Sequence, residues 1–121
     1  MFDANNKPKG LVRIYRAMLN TARAFKWLLS NESAFRQEVL LLVLVTPLTF
    51  VFNISIGEQI ILILAVLFVI FTEILNTAIE AVVDRVGLEI HPLSGLAKDL
   101  GSAAVGLSLV MAVLVWVAVL V

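Results

Sequence analysis

Four residues on one stretch of chain have the types and spacing to do chemistry together: Glu73, Asn76, Glu80 and Asp84. At 100° per residue on a helix they fall at about 0°, 300°, 340° and 20°, which makes a single polar stripe. The stripe begins inside an apolar run long enough to enter a bilayer. A carboxylate near the middle of a membrane helix costs about 2.5–3.5 kcal/mol even on insertion-based scales. Several on one face therefore need a partner, a water-filled cavity or a bound cation, and the stripe reads as a catalytic or transport site.

The chain around it has 121 residues, 61% hydrophobic, and a mean hydropathy of +1.04. A soluble core of this size could not hide so much apolar surface, so lipid is the expected solvent and one domain, 1–121, the expected count. Formal net charge is zero, but Lys7, Lys9, Arg13, Arg16, Arg23, Lys26 and Arg36 gather at the N-terminal end. The chain contains no cysteine, which excludes disulfides, thiolate catalysis and cysteine metal sites. The basic N-terminus runs into an amphipathic stretch rather than a short apolar one, so a signal peptide is not expected.

The elements that must position the stripe follow from periodicity. Residues 1–9 read as a tail with Pro8 and Gly10 as breakers. Residues 10–29 form a two-faced helix, with Arg13, Arg16, Asn20 and Arg23 on one side and Leu11, Ile14, Tyr15, Met18, Ala22, Phe25 and Leu29 on the other. Such a basic amphipathic helix is expected to lie in the membrane interface. Ser30 and Asn31 then suit a turn or cap, and Glu32 and Arg36 are spaced to pair. Membrane spans are expected over 34–52, with Pro47 inside it, 59–86 and 96–121, with Ser94 as a cap for the last. Gly101, Ala104 and Gly106 allow close helix approach, and Tyr15, Trp27 and Trp116 read as interfacial anchors.

The positive-inside rule puts the basic helix and the loop near Arg85 and Lys98 in the cytoplasm, the turn 53–58 outside and the C-terminus outside. That topology gathers Glu32, Glu38, Glu80, Asp84, Glu89, His91, Lys98 and Asp99 near the cytoplasmic face, with Glu73 about two turns deeper. Carboxylates from separate helices, a lysine and a basic surface helix suit Mg²⁺ and phosphate, since magnesium takes one or two protein carboxylates and leaves other positions to water and substrate. A Glu in partly apolar surroundings suits general-base work. No P-loop, Gly-rich kinase loop, HRD or DFG is present. Membrane-embedded Glu residues equally describe a proton-coupled exporter, and the residues alone leave enzyme and transporter both open.

Three segments carry a resemblance: NESAFRQE from Asn31, EILNTAIEAVVDR from Glu73, and EIHPLSGLAKDLGSAA from Glu89. In order and spacing they resemble the prokaryotic integral-membrane diacylglycerol kinases over about residues 10–121. The resemblance implies transfer of the γ-phosphate of MgATP to the hydroxyl of diacylglycerol, giving phosphatidic acid. It also implies an all-α homotrimer of three-span protomers with a surface helix, in a bacterial inner membrane, with membrane lipids as partners and no nucleic acid. Carried over, Glu73 matches the catalytic base, Asn76 the same cluster, and Glu32 and Glu80 the metal-binding carboxylates. Arg13, Asn20, Glu89, His91, Lys98 and Asp99 match nucleotide-contacting positions, although Asn20-Thr21-Ala22 stands where the best-known members have Tyr-Ser-Trp. Glu38, Gln59 and Ser102 match positions near the lipid substrate. Related proteins phosphorylate undecaprenol, which makes that alcohol the alternative substrate.

Overall fold

The computed structural model describes residues 5–7 and 9–121. The breaker expected at Pro8 and the first residues of the expected tail lie outside them. The described chain is all helical: α1 (Gly10–Asn31), α2 (Ser33–Leu48), α3 (Ile56–Val86) and α4 (Pro92–Leu120). It divides into two compact units, one ending at Arg36 and the other running Gln37–Val121.

The first unit is built on α1, whose basic and apolar faces both stand exposed. The expected break at Ser30 and Asn31 is not where the helix ends. Ser30 Oγ donates to Lys26 O at 2.8 Å and Asn31 Nδ2 to Trp27 O at 2.9 Å. Side chains that bond back to the carbonyl one turn earlier can stay helical. The chain leaves the helix at Glu32, in extended backbone, its N–H still reaching Leu28 O. The expected Glu32–Arg36 pair is replaced by a cap: the Arg36 guanidinium donates to Leu29 O at 3.0 Å, at the helix's C-terminal carbonyls. Phe25 and Phe35 meet with ring centroids 5.9 Å apart.

In α2, Pro47 sits inside the last turn, and the helix ends at Leu48 rather than near Phe52. Thr46 Oγ1 bonds Leu42 O and Thr49 Oγ1 bonds Thr46 O, each at 2.6 Å, so hydroxyls add bonds on either side of a proline that cannot donate. Sixteen residues span only about 24 Å, short of the roughly 30 Å hydrocarbon layer. Two helices, α3 and α4, are long and apolar enough to cross a membrane. A soluble protein's core helix passes the same test only by being buried, whereas α4 is almost wholly open along its apolar length. That exposure requires an apolar surround, as a membrane protein has.

Both long helices start earlier than the sequence pattern predicts. A reciprocal capping box opens α3 at Ile56, not near Gln59: Ser55 Oγ accepts from Glu58 N and Glu58 Oε1 from Ser55 N, both at 3.1 Å. Pro92 rather than Leu96 opens α4, and its cap is His91, not Ser94. The His91 Nδ1 accepts from Leu93 N at 3.1 Å, and proline at the first helical position forfeits no hydrogen bond there.

Helices α3 and α4 pack along one another. Trp116 Nε1 donates to Leu62 O at 3.1 Å, Thr72 and Ser108 hydroxyls meet at 2.9 Å, and Asn76 packs against Gly101. Partners on α4 fall in number as those on α3 rise, so the pair is antiparallel. The core follows the seam, with Leu62, Val66, Val69, Ile70, Thr72, Glu73, Asn76 and Thr77 buried along α3.

Candidate active site

The α3 stripe exists as expected, and burial grades along it. Glu73 and Asn76 are buried, Glu80 is half-buried and Asp84 is exposed. A carboxylate 7% exposed, one residue beyond the Thr72–Ser108 pair, is the deep member that the sequence pattern assigns to Glu73. Its setting is made by α3 itself: from Phe71 to Ile79 the outward positions stay apolar and the polar residues turn toward α4 or the unit's interior.

Glu38 on α2 lies within electrostatic range of Glu73. It also lines an apolar cavity of about 350 Å³ with Val45, Val66, Val69, Leu109 and Trp116. Glu38 therefore stands near Glu73, at the buried end of the stripe. Its Oε2 is buried without a hydrogen-bond partner among the described residues. Trp116, read from sequence as an interfacial anchor, is a wall of this cavity, its indole tied to α3 and set edge-on to Phe52 at 6.4 Å.

Towards the outer end, Asn76 Nδ2 donates to Glu80 Oε1 at 3.2 Å. One turn further, Lys98 Nζ pairs with Asp84 Oδ1 at 2.8 Å, each side chain about half exposed, and Lys98 also lies within electrostatic range of Glu80. Antiparallel packing brings α4's first turns beside α3's last, so Lys98 arrives next to carboxylates spaced a turn apart. Asp84, the last member of the stripe, is thus held in a salt bridge to α4.

The remaining candidates are spread more widely. Glu89 folds back over Gly87 in the α3–α4 connection, and His91 caps α4. Asp99 and Ser102 are exposed on α4's first turns, Ser102 beside the Asn76–Gly101 contact. Gln59 is not brought to this cluster: its amide donates to Thr49 Oγ1 at 2.9 Å, at the opposite end of α3 and about 21 Å along the helix from Glu73. Arg13 and Asn20 lie on α1 in the first unit, where the Asn20 side chain accepts from the Arg23 guanidinium. Glu32 follows α1 in the same unit.

Among the described residues no three His, Asp or Glu side chains gather as a metal cluster. The donors present are hard carboxylate oxygens. Glu80 commits Oε1 to the Asn76 amide and keeps its other oxygen, which fits a cation such as magnesium that takes few protein ligands. The second unit thus offers a buried carboxylate, Glu73, within electrostatic range of the Glu38 that lines an apolar cavity, and further along the same helix an amide, a second carboxylate and, paired to it from α4, a lysine. Fold and site define a helical membrane protein with a polar, acid-lined site set into its apolar helices.

Comparison with known proteins makes this specific. The chain belongs to the prokaryotic diacylglycerol kinase family, whose sequence pattern matches residues 20–120. It is 44% identical over 111 residues to a diacylglycerol kinase of Pseudomonas aeruginosa, covering 92% of this chain and 90% of the relative. Identity to the diacylglycerol kinase of Escherichia coli K12 is 41% over 111 residues, covering 92% and 91%. To that of Haemophilus influenzae it is 42% over 110 residues, covering 91% and 93%.

Proposed function

We propose that this chain is a lipid kinase that transfers the γ-phosphate of MgATP to the free hydroxyl of diacylglycerol, yielding phosphatidic acid and ADP. Family membership supports the reaction, and one observation carries the site: a buried carboxylate, Glu73, within electrostatic range of Glu38 at the end of an apolar cavity. Such a cavity suits an acyl chain, and a buried carboxylate within electrostatic range of its Glu38 wall suits the alcohol that the chain carries.

In the reaction the hydroxyl oxygen attacks the γ-phosphorus, the bond from that phosphorus to the β–γ bridging oxygen breaks, and ADP departs. The hydroxyl proton passes to the Glu73 carboxylate as general base. Lys98 can hold Asp84 with one N–H and offer the others to a phosphate, since an ammonium has three donors. Magnesium, when bound, neutralises triphosphate charge. Glu80 would hold it in the second unit, and Glu32 is the sequence-level candidate in the first. Asn76 orients Glu80. Glu89, His91, Asp99, Arg13 and Asn20 remain candidates for the nucleotide, and Ser102 and Gln59 for the lipid. Three spans with a cytoplasmic N-terminus, residence in a bacterial inner membrane, and a homotrimer complete the proposal.

A single assay tests it. Purified protein in detergent micelles is given radiolabelled ATP, Mg²⁺ and either diacylglycerol or undecaprenol. Label is expected in phosphatidic acid. Label in undecaprenyl phosphate instead would transfer the reaction to the isoprenoid alcohol, and label in neither lipid would overturn the kinase reading in favour of proton-coupled transport.

A further inference from the structure

The glycines of α4 are not equivalent. A Cβ built on Gly95 or Gly106 would meet nothing within 4 Å. Gly101 is buried, and its Cβ position is already taken by the side-chain oxygen of Asn76, with Ile79 Cδ1 behind at 3.7 Å. The orientation of that amide is set by chemistry. An ionised carboxylate only accepts, so the Asn76 NH₂ must face Glu80, and Nδ2 does donate to Oε1 at 3.2 Å. With the nitrogen committed to Glu80, Oδ1 points the other way, into α4. There it is buried with no hydrogen-bond partner among the described residues. Only a residue without a Cβ leaves room for it, and any other residue at 101 would push the amide off Glu80.

Resting on the kinase reading above, we propose that Gly101 is a positioning residue for phosphoryl transfer. By leaving its Cβ place to the Asn76 carbonyl, it keeps the amide turned toward Glu80 and so fixes the outer carboxylate of the stripe. Gly101 touches neither lipid nor nucleotide; it acts through Asn76. A glycine serving helix packing alone would instead have its effect on stability, whatever residue stood at 76.

The test compares full-length Gly101→Ala, Asn76→Ala, the double variant and Gly106→Ala in micelles. Gly101→Ala should lose about tenfold to a hundredfold in kcat, the scale for a displaced group at a reacting centre. The Mg²⁺ half-saturation should rise, KM for diacylglycerol should stay unchanged, and Gly106→Ala should behave as wild type. Because one residue acts through the other, the double variant should lose no more than the worse single one. Independently of turnover, the Asn76 side-chain amide resonances, identified by their disappearance in Asn76→Ala, should move in Gly101→Ala as they do in Glu80→Gln. Losses that multiply in the double variant, full activity in Gly101→Ala, or an unmoved amide would each overturn the proposal. If Gly101→Ala fails to fold, the double variant should fold as Asn76→Ala does, because the obstructing oxygen is gone; misfolding there too would overturn it. Wild-type protein that phosphorylates neither lipid would refute the kinase reading, while the amide resonances would still decide whether residue 101 sets the amide.

Discussion

At the scale of residues, the site is a gradient from dry to wet along one helix face. Glu73 and Asn76 are enclosed, Glu80 is partly so, and Asp84 with Lys98 meets solvent. Under the proposed function, the gradient divides the work: an enclosed carboxylate for the alcohol's proton, outer charges for phosphate and cation. Glu80→Ala should therefore raise the Mg²⁺ concentration needed for half-maximal activity, by about tenfold on the scale of a lost ligand or its supporting contact. An unchanged metal titration would remove Glu80 from cation binding. Lys98→Met should raise KM for ATP without moving KM for diacylglycerol. The Lys98–Asp84 pair is half exposed, so solvent screens it and it adds little to stability. Asp84→Asn should accordingly leave the thermal unfolding midpoint in place while raising KM for ATP. A large drop in that midpoint would mark the pair as structural instead. The stripe was legible in sequence because α-helical periodicity alone brings its members onto one face. Gly101 was legible only as a small residue, since nothing in a sequence says which of several small residues meets a partner, and the Asn76 carbonyl that fills its Cβ place comes from another helix.

At the scale of elements, the antiparallel α3–α4 pair holds the site, and its polar contacts cross an otherwise apolar seam. The Thr72–Ser108 hydroxyl pair lies one residue from Glu73. Interhelical hydrogen bonds of this kind average about 0.6 kcal/mol in membrane proteins. Thr72→Val should therefore destabilise the folded protein by about that amount, and adding Ser108→Ala should cost less than the two changes measured separately. Simple additivity would show that the hydroxyls do not support one another. Ser55→Ala removes the side-chain acceptor that opens α3 and should cost about 0.5–2 kcal/mol with turnover per folded molecule unchanged. That box was readable in sequence as Ser55 followed by Glu58, but the lack of Lys or Arg and the flanking Asn53 and Gly57 favoured a turn there. Pro92 likewise falls before the span expected from 96 although it opens α4, because a proline signals a helix start and a break with equal force until its neighbours' hydrogen bonds are known. At α2 the error ran the other way: apolar composition continues to Phe52, but Pro47 ends the regular hydrogen bonding within its last turn.

At the scale of the whole molecule, the proposed function has exposed apolar helices and a site open toward one end of α3 let a substrate dissolved in lipid meet one dissolved in water. The native chain has no cysteine, so single introduced cysteines report topology without background. Under the three-span proposal, a cysteine at Asn6 should react with an impermeant thiol reagent only from the cytoplasmic side and one at Val121 only from the outer side. Labelling of both from one side would show an even number of crossings. Membrane residence was legible from mean hydropathy, whereas the number of crossings was not, because α2 falls between a full span and a shorter buried helix. The central claim is that the enclosed Glu73 carboxylate takes the proton of the attacking lipid hydroxyl. The most direct measurement is kcat for Glu73→Gln, which keeps shape and hydrogen bonding but cannot act as a base, with diacylglycerol and saturating MgATP in micelles. A fall of about a hundredfold or more with helicity retained is the predicted result; turnover equal to wild type would contradict it.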